Sequence, residues 1–229
     1  MTKKIFITGT GTDVGKTYVT GLILKKLNEA NLNAGYFKAA MSGNDRDEDG
    51  QLIPGDAKFV KDISGINQPL DEMCSYIYEN AVSPHLAAKI EGGPVELRLV
   101  QGEFNALCRK YDYVVMEGSG GIICPIRFDH QQIMLEDVIK EFGLECVLVA
   151  DAGLGTINNV VLTNEYMKQR NIGVKGIIFN NYIKDNIMHE DNIKMCQRLT
   201  GLNVIAKVGK DDKELDVDLE DLLKIFGRG

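Results

Sequence analysis

The residues with the clearest chemistry stand near the start of the chain, in Gly9-Thr10-Gly11-Thr12-Asp13-Val14-Gly15-Lys16-Thr17. Glycines let successive backbone N–H groups turn toward phosphate oxygens. A helix opening after them adds the positive end of its dipole. Lys16 would reach the terminal phosphates of a nucleotide, and the Thr17 hydroxyl would hold Mg²⁺. Five residues separate Gly9 from Gly15, one more than the usual spacing, and Thr10 takes the regular first-glycine position. The plain alternative is a tight strand-to-helix turn with a solvated lysine. The apolar run Ile5-Phe6-Ile7 before the motif and the helical pattern after it favour a phosphate loop.

Other candidates follow from the elements that must position them. Residues 3–9 read as a first strand, and Val19, Leu22, Ile23, Leu27 and Ala30 as the apolar stripe of the next helix. Ala34 to Lys38 is a second short strand, followed by a polar loop through Gly55 and a helix from Asp56 to Ile63. Residues 64–82 carry no clear period. Ser83-Pro84 opens a helix with proline at its first position, and Leu97 to Cys108 reads as another. Strands at Tyr113–Met116, Cys146–Ala150, Gly176–Phe179 and Val204–Ala206 alternate with helices at 135–142, around 157–167 and at 187–199, the last closed by Gly201. The tail from Lys210 to Glu220 is charge-rich and reads as a solvated face or helix end. This alternation predicts an α/β fold of the P-loop NTPase kind, a mainly parallel sheet with helices on both faces, in one domain spanning 1–229.

In such a sheet, ligands gather at the carboxyl ends of the strands. That rule nominates Lys38, Glu117, Asp151 and Asn180, each at a strand end, and passes over Asp112 at a strand start. For each the alternative is an ordinary polar loop residue. Glu117 follows an apolar strand beside a phosphate loop, the usual place of a second Mg²⁺ anchor. Gly118-Ser119-Gly120-Gly121 then admits close approach of a ligand. A second lysine, Lys38, suits a transferase or ligase, because an anionic acceptor meets the γ-phosphate only with cations between them. Ser42 would hydrogen-bond the same acceptor.

Composition narrows the classes. The formal charge of −7 argues against a general nucleic-acid surface, so phosphate must be held locally. The five cysteines are odd in number and widely spaced, which reads as free thiols in a reducing cytosol rather than a zinc or dithiol site. The apolar run at the N-terminus is too short for a leader, and no run approaches the length of a membrane span. Asp45-Arg46-Asp47-Glu48-Asp49-Gly50 imitates the start of a calcium loop, with Asp56 at its far end. A strand precedes it and Pro54-Gly55 interrupts it, whereas a calcium loop of this type needs flanking helices. His85, His130 and His189 have no ligand spacing.

Together, several stretches resemble the dethiobiotin synthetases of biotin synthesis: the long-spaced phosphate loop, Lys38 with Ser42-Gly43, Gly55-Asp56-Ala57, Ser83-Pro84-His85, Glu117 to Gly121 and Gly153 to Asn158. The likeness covers residues 3–182. Ala39 departs from the family's proline, Ser119 from its alanine, and Ala206-Lys207-Val208-Gly209 from its Gly-x-Ile-Pro segment beside the adenine.

The resemblance implies ATP-dependent carboxylation of 7,8-diaminopelargonic acid with CO₂ or bicarbonate. It implies ring closure through a carbamate and a carbamic-phosphoric anhydride to dethiobiotin, ADP and phosphate. Lys16 and Lys38 would bring the carbamate and γ-phosphate together, with Thr12, Ser42 and Gly120 orienting the substrate. Thr17, Asp56 and Glu117 would hold Mg²⁺. Asp13, Val14, Gly15, Tyr18, Gly118, Ser119, Asn181 and Gly209 would line the nucleotide site, and Asn180 would bond the adenine edge at two points. A homodimer is implied, with Thr156, Ile157 and Asn158 reading the substrate carboxylate across the interface from the N-terminus of a helix. The alternatives are a nucleotide switch of the partitioning or positioning type and an amide ligase of the cobyrinate type.

Overall fold

The computed structural model describes residues 2–228. The sheet is built from β1 (Lys3–Gly9), β2 (Ala34–Met41), β3 (Cys74–Ile77), β4 (Tyr113–Glu117), β7 (Cys146–Asp151), β8 (Val174–Asn180) and β9 (Val204–Lys207), in the order β3-β2-β4-β1-β7-β8-β9. Neighbouring strands in this order pair parallel. A small separate hairpin joins β5 (Pro125–Phe128) to β6 (Gln132–Met134), and β10 (Gly227–Arg228) returns antiparallel to β1.

The helices cover both faces, as a parallel sheet requires. Side chains alternate along each strand. Ile5, Ile7, Tyr36, Val115 and Val149 therefore pack into one core with α1 (Lys16–Glu29) and α2 (Gly55–Ser64). Phe6, Phe37, Val114 and Met116 face the other way, against α4 (Leu97–Lys110) and α5 (Leu135–Glu141). α6 (Thr156–Gln169) and α7 (Ile187–Thr200) pack together over β7 and β8 in a third cluster. α3 (Pro84–Glu91) begins at Pro84, as the Ser83-Pro84 signal predicts.

The structure corrects the sequence reading in four places. β2 does not stop at Lys38 but runs on to Met41, because Lys38 faces Glu117 in register on β4 and its charge is paired rather than expelled. The region 64–82 contains β3, a short edge strand without a period of its own. The β5–β6 hairpin adds strands only four and three residues long, too short to show a period in the sequence. The charged tail is partly interior: Leu215 is buried, and α1 fastens the segment through Lys26 Nζ to Leu215 O (3.1 Å) and Lys25 Nζ to Lys213 O (2.8 Å). The acidic loop is closed by a bridge between Arg46 and Leu52. Within it, Asp47 Oδ1 accepts from the N–H groups of Asp49 and Gln51 (3.0 and 2.8 Å).

Candidate active site

The phosphate loop joins β1 to α1. Gly15, at φ +90°, is the N-cap of α1, and no side chain caps the helix, so its first N–H groups are left for a ligand. A Cβ on Gly15 would lie 2.0 Å from Asn180 Nδ2, so glycine is required for close approach as well as for conformation. Beside this loop opens a cavity of about 670 Å³, walled by Thr12, Asp13, Gly15, Lys16, Thr17 and Tyr18 on one side. Lys38, Met41, Ser42, Asp56, Phe59, Glu117, Ser119 and Gly120 complete it. The phosphate loop, the end of β2, the start of α2 and the end of β4 thus converge, although they are far apart in sequence.

The back wall is a network of buried charge. Lys38 is 5% exposed and Glu117 1%. Lys38 Nζ donates to Asp56 Oδ2 (2.5 Å) and to Glu117 Oε1 (2.9 Å). Thr17 Oγ1 donates to the same Glu117 Oε1 at 2.8 Å, and Tyr36 Oη reaches Oε2 at 3.1 Å. Burial works against the Lys38 charge, but Glu117 and then Asp56 outweigh it and hold its pKa above the ordinary lysine value. Lys16 has the opposite balance. Burial pulls its pKa down, Glu117 partly restores it, and Lys38 pushes it down further. Its ammonium donates to Gly11 O at 3.1 Å, folded back along the loop. An arriving polyphosphate supplies the counter-charge that Lys16 lacks.

The remaining predicted residues divide. Ser42 lines the cavity, but its hydroxyl donates to Val82 O (2.6 Å), leaving lone pairs rather than a proton for an anionic acceptor. Ser119 Oγ donates to Ala40 O (2.8 Å) and ties the loop after β4 to β2. Gly118 serves packing rather than ligand approach: a Cβ there would stand 2.9 Å from Phe6 and Leu135. Gly120, at φ +63°, lies on the cavity wall with Thr12 beside it. Asn180 gives its Nδ2 to Val14 O (3.1 Å), and its Oδ1 is buried with no partner among the described residues. The cause is the tight Gly15 turn, which places the Val14 carbonyl against the amide. Asn181 Nδ2 donates to Asp151 Oδ2 (2.6 Å), which gives Asp151 a structural part at the strand ends. Gly209 N donates to Asp212 Oδ2 (2.6 Å), and Tyr18 Oη bonds Asp212 O, so both belong to one corner.

Thr156, Ile157 and Asn158 do not line the cavity. They open α6 after Gly155 at φ +89°. Thr156 Oγ1 is buried with no partner among the described residues, and the neighbouring Leu154 is 92% exposed.

Sequence reasoning missed Tyr36, which reads as an ordinary core residue of a strand. Only its spacing of two from Lys38, hence a shared face, hinted at the site. It also missed Phe59, which lines the cavity on α2. The cysteines are free: Cys108 is half-buried and the other four are buried. Burial pushes Cys124, near Gly120, up to about 11, so it is a neutral thiol at physiological pH.

Two carboxylates and a hydroxyl offer hard oxygen donors. Among the described residues, no group of three or more His, Cys, Asp or Glu side chains forms a self-sufficient metal cage. A sparse oxygen set of this kind fits Mg²⁺, which keeps waters and takes substrate phosphate oxygens to complete its octahedron.

The fold and loop define the class, a P-loop nucleotide-dependent protein. The MinC:MinD cell division protein complex of Aquifex aeolicus aligns at TM-score 0.57 and 13% identity, over 96% of this chain and 85% of that one. A putative plasmid partition protein of Borrelia burgdorferi, solved with AMPPNP, aligns at 0.57 and 15%, over 98% of both. At these identities the likeness is one of fold. A family model described as an AAA domain matches residues 3–214. Sequence relatives are far nearer. The ATP-dependent dethiobiotin synthetase BioD of Clostridium botulinum is 47% identical over 99% of both chains, and that of Brachyspira hyodysenteriae 50% over 91% and 92%. The chain belongs to the ATP-dependent dethiobiotin synthetase family and is an ATP-dependent ligase.

Proposed function

We propose that this chain carboxylates 7,8-diaminopelargonic acid with CO₂ and closes the ureido ring of dethiobiotin at the expense of ATP. The observation that carries the reading is Lys38, a second buried lysine on the cavity wall contributed by β2 rather than by the phosphate loop, held charged between Asp56 and Glu117. A nucleotide switch needs cations only for its phosphates. A ligase must also join an anionic acceptor to the γ-phosphoryl group, and a lysine on the acceptor side lowers the repulsion between them.

In this reading one amine of the substrate adds to CO₂ and loses a proton, giving a carbamate. Thr12 and the Gly120 backbone orient it, and Ser42 Oγ accepts from the carbamate N–H. A carbamate oxygen bonds to the γ-phosphorus as the bond to ADP breaks. Lys38 and Lys16 neutralise charge on the two sides of that contact. The second amine then attacks the carbonyl, and phosphate leaves as the ring closes. Thr17, Asp56 and Glu117 would hold Mg²⁺, which supplies charge neutralisation at the β- and γ-phosphates. Thr156 and Asn158, supplied by a second copy of the chain, bind the remote carboxylate. The unpartnered Thr156 Oγ1 and the exposure of Leu154 and Ile187 (92% and 88%) support such a shared site. Among the described residues no helix is long and apolar enough to cross a membrane.

The test is ATP turnover with the diamine and bicarbonate together and with each withheld, with the ureido product followed by mass spectrometry. Turnover that requires both and yields the ring supports the reading. ATP hydrolysis indifferent to the diamine favours a switch instead.

A further inference from the structure

Tyr36 is fully buried on β2, two residues before Lys38 and on the same face of the strand. Its hydroxyl donates to Glu117 Oε2 at 3.1 Å. The other carboxylate oxygen, Oε1, takes both Thr17 Oγ1 (2.8 Å) and Lys38 Nζ (2.9 Å). The donors are thus divided by task. Thr17 and Lys38, which line the cavity, share Oε1. Tyr36, which does not line it, has Oε2 to itself.

The Tyr36 backbone is clamped as well. Tyr36 N donates to Gln68 Oε1 (2.7 Å) and Gln68 Nε2 donates to Tyr36 O (2.9 Å), with Gln68 itself fully buried. A side chain so far from β2 in sequence stands in for a neighbouring strand at this one residue.

This division matters when a ligand arrives. Thr17 would then turn its oxygen to Mg²⁺ and Lys38 its ammonium to the acceptor, and both bonds to Oε1 would be exchanged. A buried carboxylate left with no fixed donor would be free to rotate and poorly satisfied. Tyr36 is the donor with nothing else to do.

We propose that Tyr36 is a positioning residue that anchors Glu117 through Oε2, so that Oε1 stays aimed at the Mg²⁺ accompanying the nucleotide. This rests on Glu117 being a metal anchor. Partners of metal-binding carboxylates act in this way by fixing the orientation of the group that meets the ion.

The test uses Tyr36→Phe, which keeps the ring and removes only the donor, beside Glu117→Gln. Calorimetry measures ATP binding without and with Mg²⁺, and turnover is titrated with Mg²⁺. For Tyr36→Phe, metal-free ATP binding stays at the wild-type value. The strengthening of ATP binding by Mg²⁺ falls about 10-fold, and the Mg²⁺ concentration for half-maximal turnover rises by a similar factor. In the double variant the Mg²⁺ coupling is no weaker than in Glu117→Gln alone, because the two residues act as one unit. Loss of thermal stability in Tyr36→Phe with wild-type Mg²⁺ coupling overturns the proposal while leaving Glu117 as anchor, provided Glu117→Gln loses coupling. Wild-type coupling in both variants overturns the metal reading of Glu117, and this proposal with it. Additive losses in the double variant overturn the shared-unit claim.

Discussion

Two regions at the carboxyl edge of the same sheet are finished to different degrees. On the β2–β4 side, Lys38, Asp56, Glu117, Thr17 and Tyr36 satisfy one another within a single chain. On the β7–β8 side, the N-terminus of α6 carries an orphaned buried hydroxyl at Thr156, an almost fully exposed Leu154 and an exposed Asn158 whose amide reaches only Asn159 Oδ1 (3.3 Å). The first region is pre-organised, its side chains fixed by mutual hydrogen bonds before any ligand arrives. The second leaves polar and apolar groups exposed or unpartnered among the described residues. The first half carries the proposed reaction centre, and the second the proposed recognition element for the substrate carboxylate.

The largest expected effect is at the finished side. Lys38→Ala should lower turnover by about 10²–10³-fold, the scale seen when one pre-organised donor is removed from a charged transition state. ATP affinity by calorimetry should change little. Ordinary turnover in this variant would remove the central argument for a ligase geometry.

Next in size is the unfinished side. Asn158→Ala should raise the KM for the diamine about 10-fold, as expected for a lost hydrogen bond to a charged group, with ATP binding unchanged. Mixing it with Lys38→Ala after verified subunit exchange should restore activity, because a hybrid dimer holds one site with both residues intact. Unchanged KM with no rescue would make the α6 terminus a plain cap.

A smaller effect separates the regions by stability. Lys38 has its pKa raised by folding, so the folded state holds the proton more tightly than the unfolded chain does. Its stabilisation is complete below the ordinary lysine value of 10.5 and is lost only as pH climbs above it toward the folded pKa. The stability difference between wild type and Lys38→Met, from urea midpoints, should therefore stay level from neutral pH up to that value and shrink beyond it. A difference that vanished well below it would mean the buried pair is not ionised as described.

The smallest effect is at Thr156. Replacing an orphaned hydroxyl by a methyl of similar shape costs no hydrogen bond, so Thr156→Val should leave the free protein as stable as wild type or slightly more so. The same change should raise the diamine KM. A clear loss of stability would show that the hydroxyl already has a partner.

Much of the site could be read from residue order, and the reason differs by residue. Thr17 is legible from the phosphate loop, Lys38 and Glu117 from the strand-end rule, and Asp56 only from the Gly55-Asp56-Ala57 stretch that resembles the family. Tyr36 is not, since nothing in Ala34-Gly35-Tyr36-Phe37 distinguishes a tyrosine that fills a core from one that holds a carboxylate. Asn180 was legible as a strand-end amide. The direction of its Nδ2, toward Val14 O across a separation of 166 residues, was not.

What the sequence by itself determined is therefore local: a glycine-rich turn whose N–H groups must converge, the alternation that makes a parallel sheet, and the motif set that marks the family. Only the tertiary structure decided that β4 lies between β1 and β2 and pairs Lys38 with Glu117 in register. It alone decided that the charged tail is fastened to α1, and that Tyr36 holds Glu117 while Thr156 Oγ1 has no partner among the described residues. The physical reason is that strand order and register come from burying both faces of the sheet at once, and no single segment contains that information.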